Sequence, residues 1–126
     1  MKNKPISQTF TWLAIVLIVI TGLVHMIDAQ SALADATYKG WLFYANGLFA
    51  VVAAIGIFRG ERSWGWNLGA IVALVTILGY VASRTMGLPQ LPAEPSAWLE
   101  PLGVISLVAE GAFLAVYGWV MRTPVT

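Results

Sequence analysis

The sequence predicts an all-α fold, a four-helix bundle that spans a membrane with both termini on the same side. Three observations predict it. The chain has 126 residues, 59% of them hydrophobic and 10% charged, where a soluble domain carries about 25% charged residues. Its mean hydropathy is +0.78. Its apolar residues fall into four runs at about 10–28, 41–58, 64–83 and 102–121. A run of about 20 residues crosses a hydrocarbon core of about 30 Å at about 1.5 Å of rise per residue. Lipid offers backbone N–H and C=O groups no partners, so each run is expected to be helical. A membrane barrel would instead alternate in units of about 10 residues, and these runs do not.

The first run, FTWLAIVLIVITGLVHMI, follows Lys2 and Lys4. Basic residues before an apolar core, with Ala32-Leu33-Ala34 downstream, have the look of a cleaved signal peptide. The apolar core lies too far from that tripeptide, and we expect a retained helix. The segment DAQSALADATYKG is amphipathic and is expected to lie on the membrane surface as a short helix, ended by Gly40 before Trp41. The second and third runs are joined by RGERS, which forces antiparallel neighbours. The third run leaves through SRTMGLPQLPAEPSAWLEP. Pro89, Pro92, Pro95 and Pro101 forbid a continuous helix there, Gly87 permits a turn, and Pro101 suits the first turn of the fourth helix. The segment reads as a stiff lid.

Lys2, Lys4, Arg59, Arg62 and Arg122 fall on the side of the termini, and Lys39 and Arg84 on the other. Five against two places both termini in the cytoplasm and the proline-rich segment outside, with the bacterial inner membrane as the location. Trp12, Trp41, Trp64, Trp66, Trp98 and Trp119 fall near span ends, as an aromatic belt requires. Small residues form stripes: Gly65, Gly69, Ala73 and Thr76 in the third run, Gly47, Ala50 and Ala54 in the second, Gly103, Gly111 and Gly118 in the fourth. Such faces allow close helix packing within one bundle or between copies. No internal repeat supports an inverted-repeat transporter.

Polar side chains inside a membrane are costly. The candidates are His25, Asp28, Asn46, Tyr80, Arg84, Glu100 and Glu110, all in the outer half. Glu110 lies roughly 12 Å along the fourth helix. A carboxylate there must be protonated or paired, and Arg84 is the one basic side chain positioned to reach it. An Arg84–Glu110 contact joining the third and fourth helices is therefore expected. Alternatively, Glu110 exchanges a proton or serves a ligand. His25 and Asp28 share a helix face, and with Glu110 they offer one nitrogen and two carboxylates to a divalent metal. His25, Asn46, Tyr80, Arg84 and Glu110 form the candidate set for a cofactor such as a tetrapyrrole or quinone-like molecule. The residues do not name which cofactor, if any. With a single histidine, a bis-histidine haem is excluded within one chain. The chain has no cysteine, which excludes disulfides and thiolate metal sites. No catalytic motif is recognisable, and no basic patch suggests nucleic acid.

SRTMGLP, PAEPSAWLEPLGVISLVAEG and the glutamate of the last helix resemble a loosely defined family of uncharacterised small four-helix bacterial membrane proteins. In that family an Arg-Thr-x-Gly-x-Pro segment ends the third span and a histidine closes the first. The resemblance covers about residues 20–115. It implies that His25, Arg84, Thr85, Gly87, Pro89 and Glu110 belong together, and it implies no activity. Some members carry a second histidine in the first outer loop, where this chain has none. The small multidrug resistance exporters are similar in length and topology, but their essential glutamate lies in the first helix, which here has no carboxylate before Asp28. The expected role is an accessory subunit or binding module of a larger membrane complex, whose partners are the lipid bilayer and other membrane subunits or a second copy. Ligand binding in the outer half comes next, and a proton-coupled carrier using Glu110 third.

Overall fold

A computed structural model describes residues 6–122; Lys2 and Lys4 lie outside that range. The described chain is helical, with α1 at Gln8–Asp35, α2 at Thr37–Phe58, α3 at Trp64–Thr85 and α4 at Pro101–Met121. All four are long and apolar enough to cross a membrane, so this is a multi-pass membrane protein. α1 packs on α2 and α4, and α3 packs on the same two, while α1 and α3 barely meet across the diagonal. The helices thus form an antiparallel ring in chain order. One end carries the α1–α2 junction and the α3–α4 segment, and is called the linker end below. The other carries the start of α1, the end of α4 and the α2–α3 turn, and is called the terminal end.

The expected surface helix between α1 and α2 is absent. α1 continues through Asp35, and only Ala36, with φ −162° and ψ 139°, interrupts the path into α2. Nothing in DAQSALAD breaks a helix, and its alanines favour one. Ala29 and Ala32 are buried, so the extension also packs. Hydropathy marks where the chain turns polar, which is not where the helix ends. At 28 residues α1 is about 42 Å long, some ~12 Å more than a hydrocarbon core. Gly40 lies in the first turns of α2 rather than ending a helix. A Cβ there would collide with Leu33, so glycine lets the two helices turn back on each other. Lys39 Nζ bonds Asp35 Oδ2 across the junction at 2.9 Å.

The terminal half is closed by rings and glycines. Trp66 and Phe113 are fully buried and stack at 6.1 Å, and a Cβ on Gly69 would fall 2.5 Å from the Phe113 ring. Trp66 is therefore a core residue and not part of the aromatic belt. Trp12, Trp41, Trp64, Trp98 and Trp119 are exposed as the belt requires. Gly65 sits on the backbone of Gly56, while Gly22 meets Ala50 and Gly47. The small-residue stripes of α2 and α3 are thus consumed within the ring. Gly111 and Gly118 on α4 instead face open space.

The α3–α4 segment is tied down. Gly87, at φ +86°, turns the chain out of α3, and a Cβ there would meet Leu91 O at 2.7 Å. Leu88 and Leu91 bond each other's backbones at 3.1 and 2.9 Å. Pro89 and Gln90 form the corner of this tight turn, with Gln90 at φ +65°. A proline followed by a residue of positive φ is the type II pattern, in which glycine usually fills the second place. A short 3₁₀ turn, Pro95–Leu99, follows, and Pro101 opens α4 as expected.

Candidate functional site

The site lies in the linker half, and helix register places its members. Gly22 of α1 packs at Gly47 and Ala50 of α2, and Met26 lies on Gly47. His25 is therefore level with Asn46. Asn46 Nδ2 donates to Thr76 Oγ1 at 2.6 Å, which places α3 in the same layer. Phe113 packs on Gly69, and Glu110, one turn from Phe113 toward the linker end, lies near Ala73 and Thr76. His25, Asn46, Thr76, Ser106 and Glu110 thus occupy one layer, contributed by all four helices and about one helical turn thick.

Glu110 is fully buried. Its Oε2 shares a short hydrogen bond with the Ser106 hydroxyl one turn away. Its Oε1 is buried without a hydrogen-bond partner, as is Asn46 Oδ1. Few native buried polar atoms are left so. His25 is also buried. Its Nδ1 lies 2.9 Å from Thr21 O. A carbonyl only accepts, so Nδ1 carries the proton, and in the neutral ring Nε2 keeps a free lone pair. Phe43 packs against the imidazole at 4.8 Å. Asp28 is half-buried one turn closer to the linker end.

Each donor atom of the layer is already used. Thr21 Oγ1 donates to Leu17 O at 3.2 Å and Thr76 Oγ1 to Val72 O at 2.5 Å. With His25 Nδ1, Ser106 Oγ and one N–H of Asn46 Nδ2 also engaged, what remains is mostly acceptors, beside the second N–H of the Asn46 amide.

Arg84 does not reach Glu110. Its guanidinium lies over the Tyr80 ring at 3.8 Å. Its Nη1 donates to Ser83 Oγ at 2.7 Å, and Nε and Nη2 donate to Ala97 O at 3.4 and 3.3 Å. It crosses α4 at Gly103, about two turns from Glu110. The expected Arg84–Glu110 contact is replaced by a clasp on the linker. A carbonyl and an aromatic face take the place of the carboxylate, which lies too deep. Tyr80 joins the clasp by donating to Trp98 O at 2.6 Å. The five residues offered to a cofactor therefore divide: His25, Asn46 and Glu110 share the layer, and Tyr80 and Arg84 hold the linker. Among the described residues no three His, Asp or Glu side chains stand close enough to hold a metal ion. His25, Asp28 and Glu110 are not brought together, because the half-buried Asp28 lies a turn away from the layer. Glu100 is exposed and precedes α4.

Three contributors were not singled out by sequence reasoning. Thr21 offers the carbonyl that orients His25. Thr76 was read only as a small packing residue. Tyr38, just past the α1–α2 break, donates to Pro89 O at 2.6 Å and latches the linker to α2. Only the presence of a hydroxyl in an apolar run hinted at the first two, and Tyr38 needed a partner 51 residues away in sequence.

Neither a family model, nor a curated protein, nor a solved structure matches the chain. The Arg-Thr-x-Gly-x-Pro segment can still be read in physical terms. Arg84, Gly87 and Pro89 end α3 and fasten the linker. Thr85 bonds back to Val81 O at 2.7 Å. Only His25 and Glu110 of the resemblance set face the interior.

Proposed function

We propose that this is a small inner-membrane protein that binds a small ligand inside the linker half of its bundle, under the clasped α3–α4 segment. The observation that carries this reading is the unpartnered Oε1 of the fully buried Glu110. A buried acceptor without a donor costs about 1–3 kcal/mol, and more when charged. An apolar side chain of similar size would remove that cost, so a glutamate in this place fits a role in binding. Arg59, Arg62 and Arg122 at the terminal end, against Lys39 and Arg84 at the linker end, support a cytoplasmic location for both termini.

The test is native mass spectrometry of protein released from membranes in mild detergent. We expect a ligand-bearing species that disappears in Glu110→Gln. A ligand-free wild type under every release condition overturns the reading.

A second reading, an accessory subunit of a larger complex, is favoured by one observation. Gly111 and Gly118 sit seven residues apart on α4 and face open space, as a surface for another membrane helix would. Defined membrane proteins that co-purify with wild type and are lost from Gly111→Leu would support it.

A further inference from the structure

We propose that the ligand of the buried layer is a small monovalent cation, an alkali-metal ion or a protonated amine, held by Glu110 Oε1 with Asn46 Oδ1 and His25 Nε2 as neutral acceptors. The inference rests on the ligand-binding reading above and names the chemistry of its ligand.

The argument is one of matching valences. The two buried side-chain atoms without partners among the described residues, Glu110 Oε1 and Asn46 Oδ1, are both acceptors. The donors of the layer are nearly spent: Thr21 and Thr76 on main-chain carbonyls, Ser106 on Glu110, His25 Nδ1 on Thr21 O and one of the two Asn46 Nδ2 hydrogens on Thr76. An anion or a ligand made only of acceptors would find one amide N–H and would leave Glu110 Oε1 and Asn46 Oδ1 unpartnered. A cation or an N–H donor would complete the layer.

Charge gives the valence. Glu110 is the layer's single acid, so when it is ionised one positive charge neutralises it. No basic side chain of the described chain supplies that charge. Lys39 is paired with Asp35, Arg84 is held by Tyr80, Ser83 and Ala97, and Arg62 donates to Val120 O at the terminal end. Arg122 lies by Trp119 at that same end, and Arg59 is exposed there. A divalent ion is disfavoured because no three anionic or imidazole ligands gather anywhere in the described chain. Carboxylate and amide oxygens are hard ligands, which suit hard cations in general, and they also accept from an ammonium group.

The experiment uses the full chain in detergent. The protein is exchanged into N-methylglucamine chloride, whose cation is far bulkier than the three to be tested. It is then titrated at constant ionic strength with sodium, potassium or methylammonium chloride, and unfolding is followed by tryptophan fluorescence. Binding to the folded state alone raises the transition by mass action, and we expect a saturable rise of at least about 4 °C for one of the three ions. A rise with sodium or potassium identifies an alkali-metal site, and a rise with methylammonium an amine site. Glu110→Gln should abolish the rise. Should that variant not fold, Asn46→Leu should shift half-saturation at least about tenfold to higher concentration. Equal transitions in all four salts overturn the proposal. So does a rise that persists in Glu110→Gln, or an unchanged midpoint in Asn46→Leu. A neutral molecule found by native mass spectrometry and lost with Glu110→Gln, together with no response to cations, overturns the cation assignment and leaves the binding reading standing.

Discussion

The two halves of the bundle bury their interiors in different ways. In the terminal half Trp66, Phe113, Ile18 and Ile57 fill the centre, and glycines at 56, 65 and 69 bring the backbones and rings together. In the linker half the buried positions include Thr21, His25, Ser83, Ser106 and Glu110. Lipid tails are as apolar as the core, so packing rather than the hydrophobic effect holds membrane helices together. The ring-and-glycine half meets that requirement. The polar half gains less from packing and leaves two acceptors unsatisfied. Apolar packing is concentrated at one end of the ring and buried polar groups at the other.

The largest effect expected from breaking this division is at Phe113. Its ring is completely buried between Gly69 and Trp66. Phe113→Ala should cost about 3–5 kcal/mol by loss of contacts and a cavity that the small neighbours cannot fill. Unfolding in detergent should show it, with the residual fold losing protection in the terminal half first. A loss below about 1 kcal/mol would mean that the rings do not anchor the bundle.

Glu110→Leu reverses the sign. Replacing a buried, poorly satisfied carboxyl by an apolar side chain of similar size removes a desolvation cost of about 1–3 kcal/mol. A gain of roughly 1–3 kcal/mol in ligand-free buffer is expected here, together with loss of ligand binding. A large loss of stability would show instead that Glu110 is a structural hub.

Much of this division is visible in the sequence, in uneven parts. The spans follow from the spacing of apolar runs, since nothing but a helix satisfies backbone groups in lipid. Glu110 and His25 stand out because each is costly where it sits. Their partners do not stand out. Arg84 is the only base on its side within reach, and proximity in sequence order suggested Glu110. The structure gives the guanidinium to Tyr80 and Ala97, because a side chain at a helix exit meets the chain that crosses it before it meets a carboxylate two turns deeper. Trp66 shows the same limit. Its position near a span end looks interfacial, and only the glycine at 69 and the ring at 113 make room for it inside. Where a helix ends was also hidden, because composition reports polarity and α1 continues to Asp35, seven residues past the end of the apolar run at 28.

The clasp joins the two halves of the comparison, because it secures the polar half from outside. Tyr80→Phe removes the bond to Trp98 O and keeps the ring beneath Arg84. A loss of about 1 kcal/mol is expected, with faster amide exchange confined to residues 86–100. If exchange rises equally in the terminal half, the linker is not an independent unit.

The smallest effect is the one the linker turn predicts at Gln90. Its φ of +65° lies in the left-handed region, where a Cβ crowds the following carbonyl at a cost of roughly 1 kcal/mol. The backbone bonds between Leu88 and Leu91 and the Tyr38 bond to Pro89 O hold it there. Gln90→Gly removes the steric cost but also frees the unfolded chain, which offsets part of the gain. A net stabilisation of about 0.5 kcal/mol follows from the difference. Gln90→Val, β-branched at the same φ, should instead destabilise by at least about 1 kcal/mol and loosen the linker. The pair of variants separates strain from side-chain contact. Opposite signs show that the turn is held against its preference by its three bonds. Equal signs show that the glutamine side chain, rather than its backbone, matters there.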